Sequence, residues 1–446
     1  MTIKEFLKKN TVSNSLYLMA TKNKAEGLLA CRDQWERMQR ERLAELLNYA
    51  KKHSRYFWMH IGEQMITPDV SVEVLRTLPL LTKDIIREQQ FNIYSDETGT
   101  GWNTWGNTGG STGEPLKFPR KGNGQWNEPV CQYMTYSYLN EWGGGGKSGD
   151  VIVSLSGNRI PEEKQQKKIF YDIEGNFPWG KYRFSTLYMK EENMPYYVEA
   201  INQSNATFIR GYSAGILTLA QYIRKHHVAL DIQLKGIYLT SEAFAESSRK
   251  FISDVFRCPV IGQYGHTEMS VYAYQHKDDS VYECLPLYGY TEVLDDKGRH
   301  VKEGETGEIV VTGFNQIGMP FIRYKTGDLA TYVGRKDDGT VLIDAIQGRT
   351  VDFLYDTSGE RVYLTGAIFG GHIKAFNHIA QWQLTQNKKG IVDVAIIKGE
   401  GFNETVEKEV YDFFGRFNIT AKLNYVNYIE KQKNGKQKFL IQKCNE

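Results

Sequence analysis

Asn107-Thr108-Gly109-Gly110-Ser111-Thr112-Gly113-Glu114-Pro115 is the stretch on which the reading of this chain turns. Glycines alternate with hydroxyl residues, and a proline stops the run. Neither a packed helix nor a central strand favours that composition. Glycine lets the backbone come close to a bound group or take positive φ. Successive exposed N–H groups in such a turn form an anion-binding concavity. The hydroxyls of Thr108, Ser111 and Thr112 add donors. The stretch reads as a loop that holds a polyphosphate, set against the plainer reading of an ordinary Gly/Ser/Thr surface loop.

Composition sets the outer limits. A chain of 446 residues is too long for one typical domain. It is 41% hydrophobic and 24% charged, enough for a sizeable core. A net charge of +2 argues against a dedicated nucleic-acid surface. The cysteines at 31, 131, 258, 284 and 444 are scattered, with no close pair for a zinc knuckle or redox couple. Their odd number favours free thiols in a reducing compartment. The start, MTIKEFLKKN, has no apolar run of signal-peptide length, and no run is long enough to span a membrane. A soluble cytoplasmic protein, with no membrane partner, is the expectation.

Residues 1–60 read as helical, with Met38, Leu43, Leu46, Leu47 and Ala50 near one face. Thr82 is placed to cap the next helix. Residues 125–139 are again helix-like. Gly143-Gly-Gly-Gly-Lys147-Ser148 invites confusion with a nucleoside-triphosphate P-loop, but that motif needs glycine where Glu141 stands. It also follows a strand, whereas this stretch precedes the strand-like residues 151–155. We read it as a turn. Residues 206–213 then lead into a helix that runs to about His226. Strands at 234–240 and 259–264 flank a helix that Ser241 is placed to cap. This alternation fits a layered α/β domain.

Gly265-His266-Thr267-Glu268 ends the last of those strands. Ligands of such sheets gather at the carboxyl ends of strands. An acidic group there suits a divalent cation bound to phosphates, although a lone glutamate is also a routine helix-capping choice. His266 has no second histidine or cysteine at ligand spacing and reads as a packing or hydrogen-bonding residue. From 285 the chain is β-rich, with residues 290–294 and 307–312 as a hairpin. Asp328, beside Gly327, sits between two strand-like runs. A carboxylate there can accept both hydroxyls of a ribose, or simply make an Asx turn. A small region follows, with strands at 391–397 and 421–428 around a helix at 404–417. Lys436 comes after the turn Asn434-Gly435 and before a strand, where charge alone reads it as a solvated lysine.

Taken in order, Thr108-Gly-Gly-Ser-Thr-Gly-Glu-Pro115, Tyr264-Gly-His-Thr-Glu268, Tyr324-Lys-Thr-Gly-Asp328, Gly348-Arg349 and Asn434-Gly-Lys436 resemble the adenylate-forming superfamily. That superfamily includes acyl-CoA synthetases, peptide-synthetase adenylation domains and luciferases. Within it the chain looks closest to the phenylacetate–CoA ligase and CapK-like branch. The resemblance implies an α/β fold: a large multi-layer domain over 1–350, with packed sheets, helices and a small β-rich part. A small mobile α+β domain over 351–446 would carry the catalytic lysine. It implies ATP and Mg²⁺ as cofactors, a small carboxylic acid as substrate, and an acceptor that is either coenzyme A or an amine.

The implied roles fall residue by residue. Thr108, Gly109, Gly110, Ser111, Thr112 and Gly113 would hold the β- and γ-phosphates. Ser241, Glu242, Ala243, Gln263 and Tyr264 would frame the adenine. Thr267 would approach the α-phosphate, Glu268 would coordinate Mg²⁺, and Asp328 would bind the ribose with Arg349 close by. Lys436 would contact the carboxylate and the α-phosphate. Tyr133, Tyr136, Tyr212 and Tyr238 would make an acid pocket that is aromatic but polar-tipped. A monomer or homodimer is expected. Two departures stand out. Val351 occupies the apparent hinge, where relatives usually carry Asp or Lys, and Glu114 stands where many relatives have Lys. Rival readings are an amide ligase acting on an amine, amino acid or amino-sugar, and a non-catalytic nucleotide-binding relative. The retention of Glu268, Asp328 and Lys436 together argues against the last.

Overall fold

Short runs such as Ile152–Ser156 and Phe208–Tyr212 are buried on both faces, the mark of parallel strands covered on each side. In the computed structural model they form a sheet in which Ile152–Ser156 lies between Tyr182–Ser185 and Phe208–Tyr212, all parallel. Gly236–Thr240 extends it in parallel, and Tyr171–Ile173 closes the other edge antiparallel. The structure describes residues 11–98, 104–107, 116–121, 124–139, 150–175, 180–228, 230–242, 244, 246–276, 279–347, 353–363, 375, 378–399, 401–431 and 438–444.

The chain makes two compact units, one mainly from residues 139–261 and 347–446, the other from 19–138 and 262–346. In the first, the helices Met194–Gln203, Ser213–His226 and Glu246–Phe256 connect the parallel strands. Tyr197, Ile201, Ile216, Leu219 and Ile252 from these helices pack on Val153, Leu155, Phe184, Ile209, Ile237 and Leu239 from the strands. Gly211 is required where it stands. Its φ is +142°, and a Cβ there would lie 2.2 Å from the Leu155 carbonyl oxygen.

The same unit contains a four-stranded sheet in the order Thr420–Tyr425, Ile391–Lys398, Ile379–Lys388, Leu440–Gln442. The helix Glu404–Gly415 covers it, started by Asn403, whose side chain accepts from the N–H groups of Thr405 and Val406. Val406, Val410, Phe413 and Phe414 pack on Leu384, Val392, Val394 and Ile396. The strand Ile379–Lys388 is absent from the sequence reading, because QWQLTQNK carries few apolar residues. Its Gln381 amide donates to Thr218 Oγ1 at 3.2 Å, which docks this small sheet on the helix Ser213–His226.

The second unit is an antiparallel sheet over helices. Gly289–Leu294 pairs with Thr306–Gly313, as the hairpin reading expects, and the latter with Tyr324–Arg335. Tyr272–Gln275 pairs with Tyr282–Cys284 and with the end of Val260–Gly265. The helix Trp35–His53 buries Trp35, Leu43, Leu46, Leu47 and Ala50, while Met38 stays at the margin. Its buried Gln39 donates to the Gly289 carbonyl at 2.9 Å. Thr82 caps the helix Lys83–Ile93, accepting from the Ile85 N–H.

Candidate functional site

Thr104–Asn107 and Lys117–Arg120 form an antiparallel pair, with Asn107 opposite Lys117. The glycine-rich stretch therefore leaves from and returns to one hydrogen-bonded pair of strands. Thr108, Gly109, Gly110, Ser111, Thr112 and Gly113 themselves lie outside the described residues. So do Ala243, Arg349, Val351, Lys436, the side chain of Tyr136 and the stretch 143–148 that the sequence reads as a turn.

In the second unit the strand Val260–Gly265 delivers Gln263 and Tyr264, and the turn behind it delivers His266, Thr267 and Glu268. The Tyr264 hydroxyl donates to Asp328 Oδ2 at 2.8 Å. Burial first, then the Asp328 charge, holds the Tyr264 phenol well above its usual range. It therefore stays a donor at neutral pH.

Asp328 differs from expectation in its setting. It stands inside the strand Tyr324–Arg335, not on a loop between two strands. Glu308 pairs with Leu329 and Val310 with Lys325, so Thr326, Gly327 and Asp328 together face Ile309. Gly327 has φ +80° and donates its N–H to Glu308 Oε1 at 3.1 Å. Thr326 Oγ1 donates to the Ile309 carbonyl and accepts the Asp328 N–H. A bulge of this kind re-aims a side chain without ending the strand.

Glu268 is 5% exposed. Its Oε1 accepts from the Tyr324 hydroxyl at 3.1 Å, and its Oε2 from Thr267 Oγ1 at 3.2 Å. His266 Nδ1 lies 3.2 Å from Oε2. Burial alone pushes this carboxyl up, but the charged form of His266 outweighs it and the group is held at about 2. It is an anion at neutral pH. Because its folded value lies below 4.5, ionised Glu268 stabilises the fold above roughly that pH, and the contribution fades as pH falls towards 2. Arg120 Nη2 donates to the Thr267 carbonyl at 2.8 Å, which ties the loop-flanking strand to this turn. Sequence reasoning assigns no role to Tyr324 or Arg120. Their partners lie 56 and 147 residues away, beyond any local pattern.

In the first unit, Tyr212 and Ser241 sit at the carboxyl ends of two parallel strands. Ser241 does not cap the next helix, which begins only at Glu246. It has φ +72°, a strained value for serine. Glu242 instead caps a neighbouring helix: its Oε2 accepts from the Ala214 N–H at 2.9 Å, at the positive end of Ser213–His226. Burial, then Glu242, raises the Tyr212 phenol. Tyr238 is wholly buried, with the Arg210 guanidinium 5.5 Å from its ring centroid. Tyr133 is buried in the other unit.

Lys431 is a buried amine in the first unit. Its Nζ is buried without a hydrogen-bond partner. Burial pushes its pKa down to about 8, against the pull of Glu242. The unfolded chain, near 10.5, binds more protons between pH 8 and 10.5, so this group makes stability rise with pH across that window. Lys431→Met should stabilise the protein by about 2–3 kcal/mol at pH 7, since lowering a pKa by one costs the charged form about 1.4 kcal/mol. It should also flatten the rise above pH 8. Urea midpoints at pH 7 and 10 check both. An unchanged midpoint at pH 7 would contradict the assigned cost.

Among the described residues no group of three or more His, Cys, Asp or Glu side chains could hold a metal ion. A Mg²⁺ that arrives on nucleotide phosphates needs only one or two carboxylates. The ionised Glu268 fits that limited role.

Residues 183–318 match the family of AMP-binding enzymes, and residues 356–443 match the CapK C-terminal domain. Protein CapK of Staphylococcus aureus is 29% identical over 428 residues, 93% of this chain and 90% of that protein. The chain belongs to the adenylate-forming superfamily, in its CapK and phenylacetate–CoA ligase branch. A phenylacetate-coenzyme A ligase of Thermus thermophilus is 29% identical over 196 residues, 41% of this chain and 42% of that protein. The fold of this adenylate-forming chain is shared with a 2-hydroxyisobutyryl-CoA ligase solved in its postadenylation state. That likeness has a TM-score of 0.63 at 17% identity, over 91% of this chain and 88% of the other. As a member of the superfamily, the protein is an ATP-dependent, AMP-forming ligase. Among the described residues no helix is long and apolar enough to cross a membrane.

Proposed function

We propose that this ligase converts a carboxylic acid and ATP to an acyl-adenylate and pyrophosphate, and then passes the acyl group to coenzyme A. The observation that carries the reading is the Tyr264–Asp328 pair beside the ionised Glu268. The Asp328 carboxylate would accept from a ribose hydroxyl, and Tyr264 would border the base. Residues 108–113 bind the β- and γ-phosphates, Ser241 to Ala243 and Gln263 border the adenine, and Arg349 lies near the ribose. Thr267 approaches the α-phosphate.

A carboxylate attacks a polyanionic nucleotide slowly unless charge on the phosphates is met. Mg²⁺ held by Glu268 would supply part of that charge when bound. The chain supplies the rest through the loop N–H and hydroxyl groups and through Lys436. The lysine-bearing part beyond residue 350 reorients between the two steps, and its closure keeps water from the mixed anhydride. Tyr133, Tyr136, Tyr212 and Tyr238 favour a small or hydroxylated acid over a long fatty acid.

A second reading, amide transfer to an amine or amino-sugar, is favoured by Val351 at the apparent hinge, where a polar residue usually eases the swing to thioester formation. Pyrophosphate release across acetate, amino acids, aromatic acids and palmitate identifies the acid class, with palmitate expected to be poor. The preferred acid is then incubated with ATP and either CoA or amines, and the products are identified by mass. Rapid amide formation with only background thioester would reject CoA as acceptor.

A further inference from the structure

The helix Gly124–Leu139 follows the strand that flanks the glycine-rich stretch. Gln132 on this helix is fully buried, and both its Nε2 and its Oε1 lack a hydrogen-bond partner. Leaving a buried amide unmet costs about 1–3 kcal/mol for each group. Native proteins rarely carry that cost without a reason.

The helix that carries Gln132 meets the strand that follows Glu268. One turn on, Thr135 is also fully buried, and its Oγ1 lies 3.0 Å from the Tyr272 hydroxyl. Tyr272 opens the strand that begins four residues after Glu268. One turn back, Glu128 acts electrostatically on the Tyr288 phenol, as does Arg120, the residue that grips the Thr267 carbonyl. Positions 128, 132 and 135 share one helix face. The face that meets Tyr272 thus also carries a buried amide whose nitrogen and oxygen are both unmet.

We propose that Gln132 is a specificity-determining residue of the acid site, and that it pairs with a hydroxyl on the acid substrate. This inference rests on the acid-activating reading above. A hydroxyl donates and accepts at once, which matches both unmet atoms of the amide. An ammonium or a second carboxylate would have to shed its hydration beside a neutral amide, at far greater cost. A site that hydrogen-bonds a substrate hydroxyl rejects the analogue lacking it strongly, because its own polar atoms are then left unpaired.

The test is ATP–pyrophosphate exchange with acid pairs that differ by one hydroxyl or by a hydroxyl in place of a methyl: lactate and propionate, 2-hydroxyisobutyrate and pivalate, 4-hydroxyphenylacetate and phenylacetate. For the parent, the best pair should favour the hydroxy acid by about tenfold or more in kcat/KM. Gln132→Leu and the near-isosteric Gln132→Met should bring that ratio within about threefold of unity, with the KM for ATP unchanged. A parent that prefers the unsubstituted acids overturns the inference and leaves the acid-activating reading intact. So does an unchanged ratio in either variant, even with a raised Tm, which would make Gln132 a purely structural residue. Failure of every acid to support exchange would bring down the acid-activating reading, and this inference with it.

Discussion

Lys436→Ala lowers acyl-adenylate formation by roughly 10²–10³-fold and leaves ATP affinity within about threefold, the pattern of a contact made in the transition state. The assignment comes from Asn434-Gly435-Lys436 at the carboxyl end of a chain whose residues 356–443 match the CapK C-terminal domain. A lysine that meets charge developing between the carboxylate and the α-phosphate contributes little to the ground state. ATP–pyrophosphate exchange reports the chemical step, and calorimetric titration reports nucleotide binding. Equal exchange rates in variant and parent would remove Lys436 from the reaction. A parallel loss of ATP affinity would make it a binding residue instead.

Glu268→Gln is the second large effect. The substitution keeps the size of the side chain and its acceptor oxygen towards Tyr324, and removes only the charge. Exchange should fall by about 10²-fold or more, the scale of losing one electrostatic contact to a transferring phosphoryl group. A second readout is independent of turnover: the Mg²⁺ dependence of ATP affinity should flatten in the variant. Since the carboxyl is held at about 2, Glu268 contributes no activity limb in the neutral range. A variant that binds MgATP and exchanges like the parent would exclude Glu268 from metal binding.

What is legible in the sequence is local. The Tyr290 hairpin, the Thr82 cap and the helix over residues 404–415 follow from periodicity and turn chemistry within a few residues. The family motifs mark Tyr264, Glu268 and Asp328, but not what holds them. Tyr324 has no visible link to Glu268 in the sequence, because strand pairing alone brings them together. Ser241 reads as a cap because serine precedes an acidic residue and a helix, but Glu242 turns to a different helix and leaves the serine in a left-handed conformation. The bulge at Asp328 depends on a three-to-one mismatch against Ile309, which only the partner strand reveals. The burial of Lys431 has no sequence signal, because composition carries no information on which amines the fold covers.

Arg323 links folding to the order in which the chain is made. Its buried guanidinium pairs with Glu292 and donates to the carbonyls of Arg76 and Leu78, the latter 245 residues earlier. The helix Ser71–Thr77 hides Ser71, Val72, Val74 and Leu75 within that same unit. On a ribosome adding about 5–20 residues per second, those side chains emerge roughly 12–50 s before Arg323 does. In that interval residues 139–261 are synthesised, and they belong to the other unit. The amino-terminal helices are thus nascent orphans, with apolar faces open to chaperones or to one another until the antiparallel sheet arrives. Slow decoding after residue 138 would prolong that exposure, because residues 139–261 must be made before the strands that cover those helices.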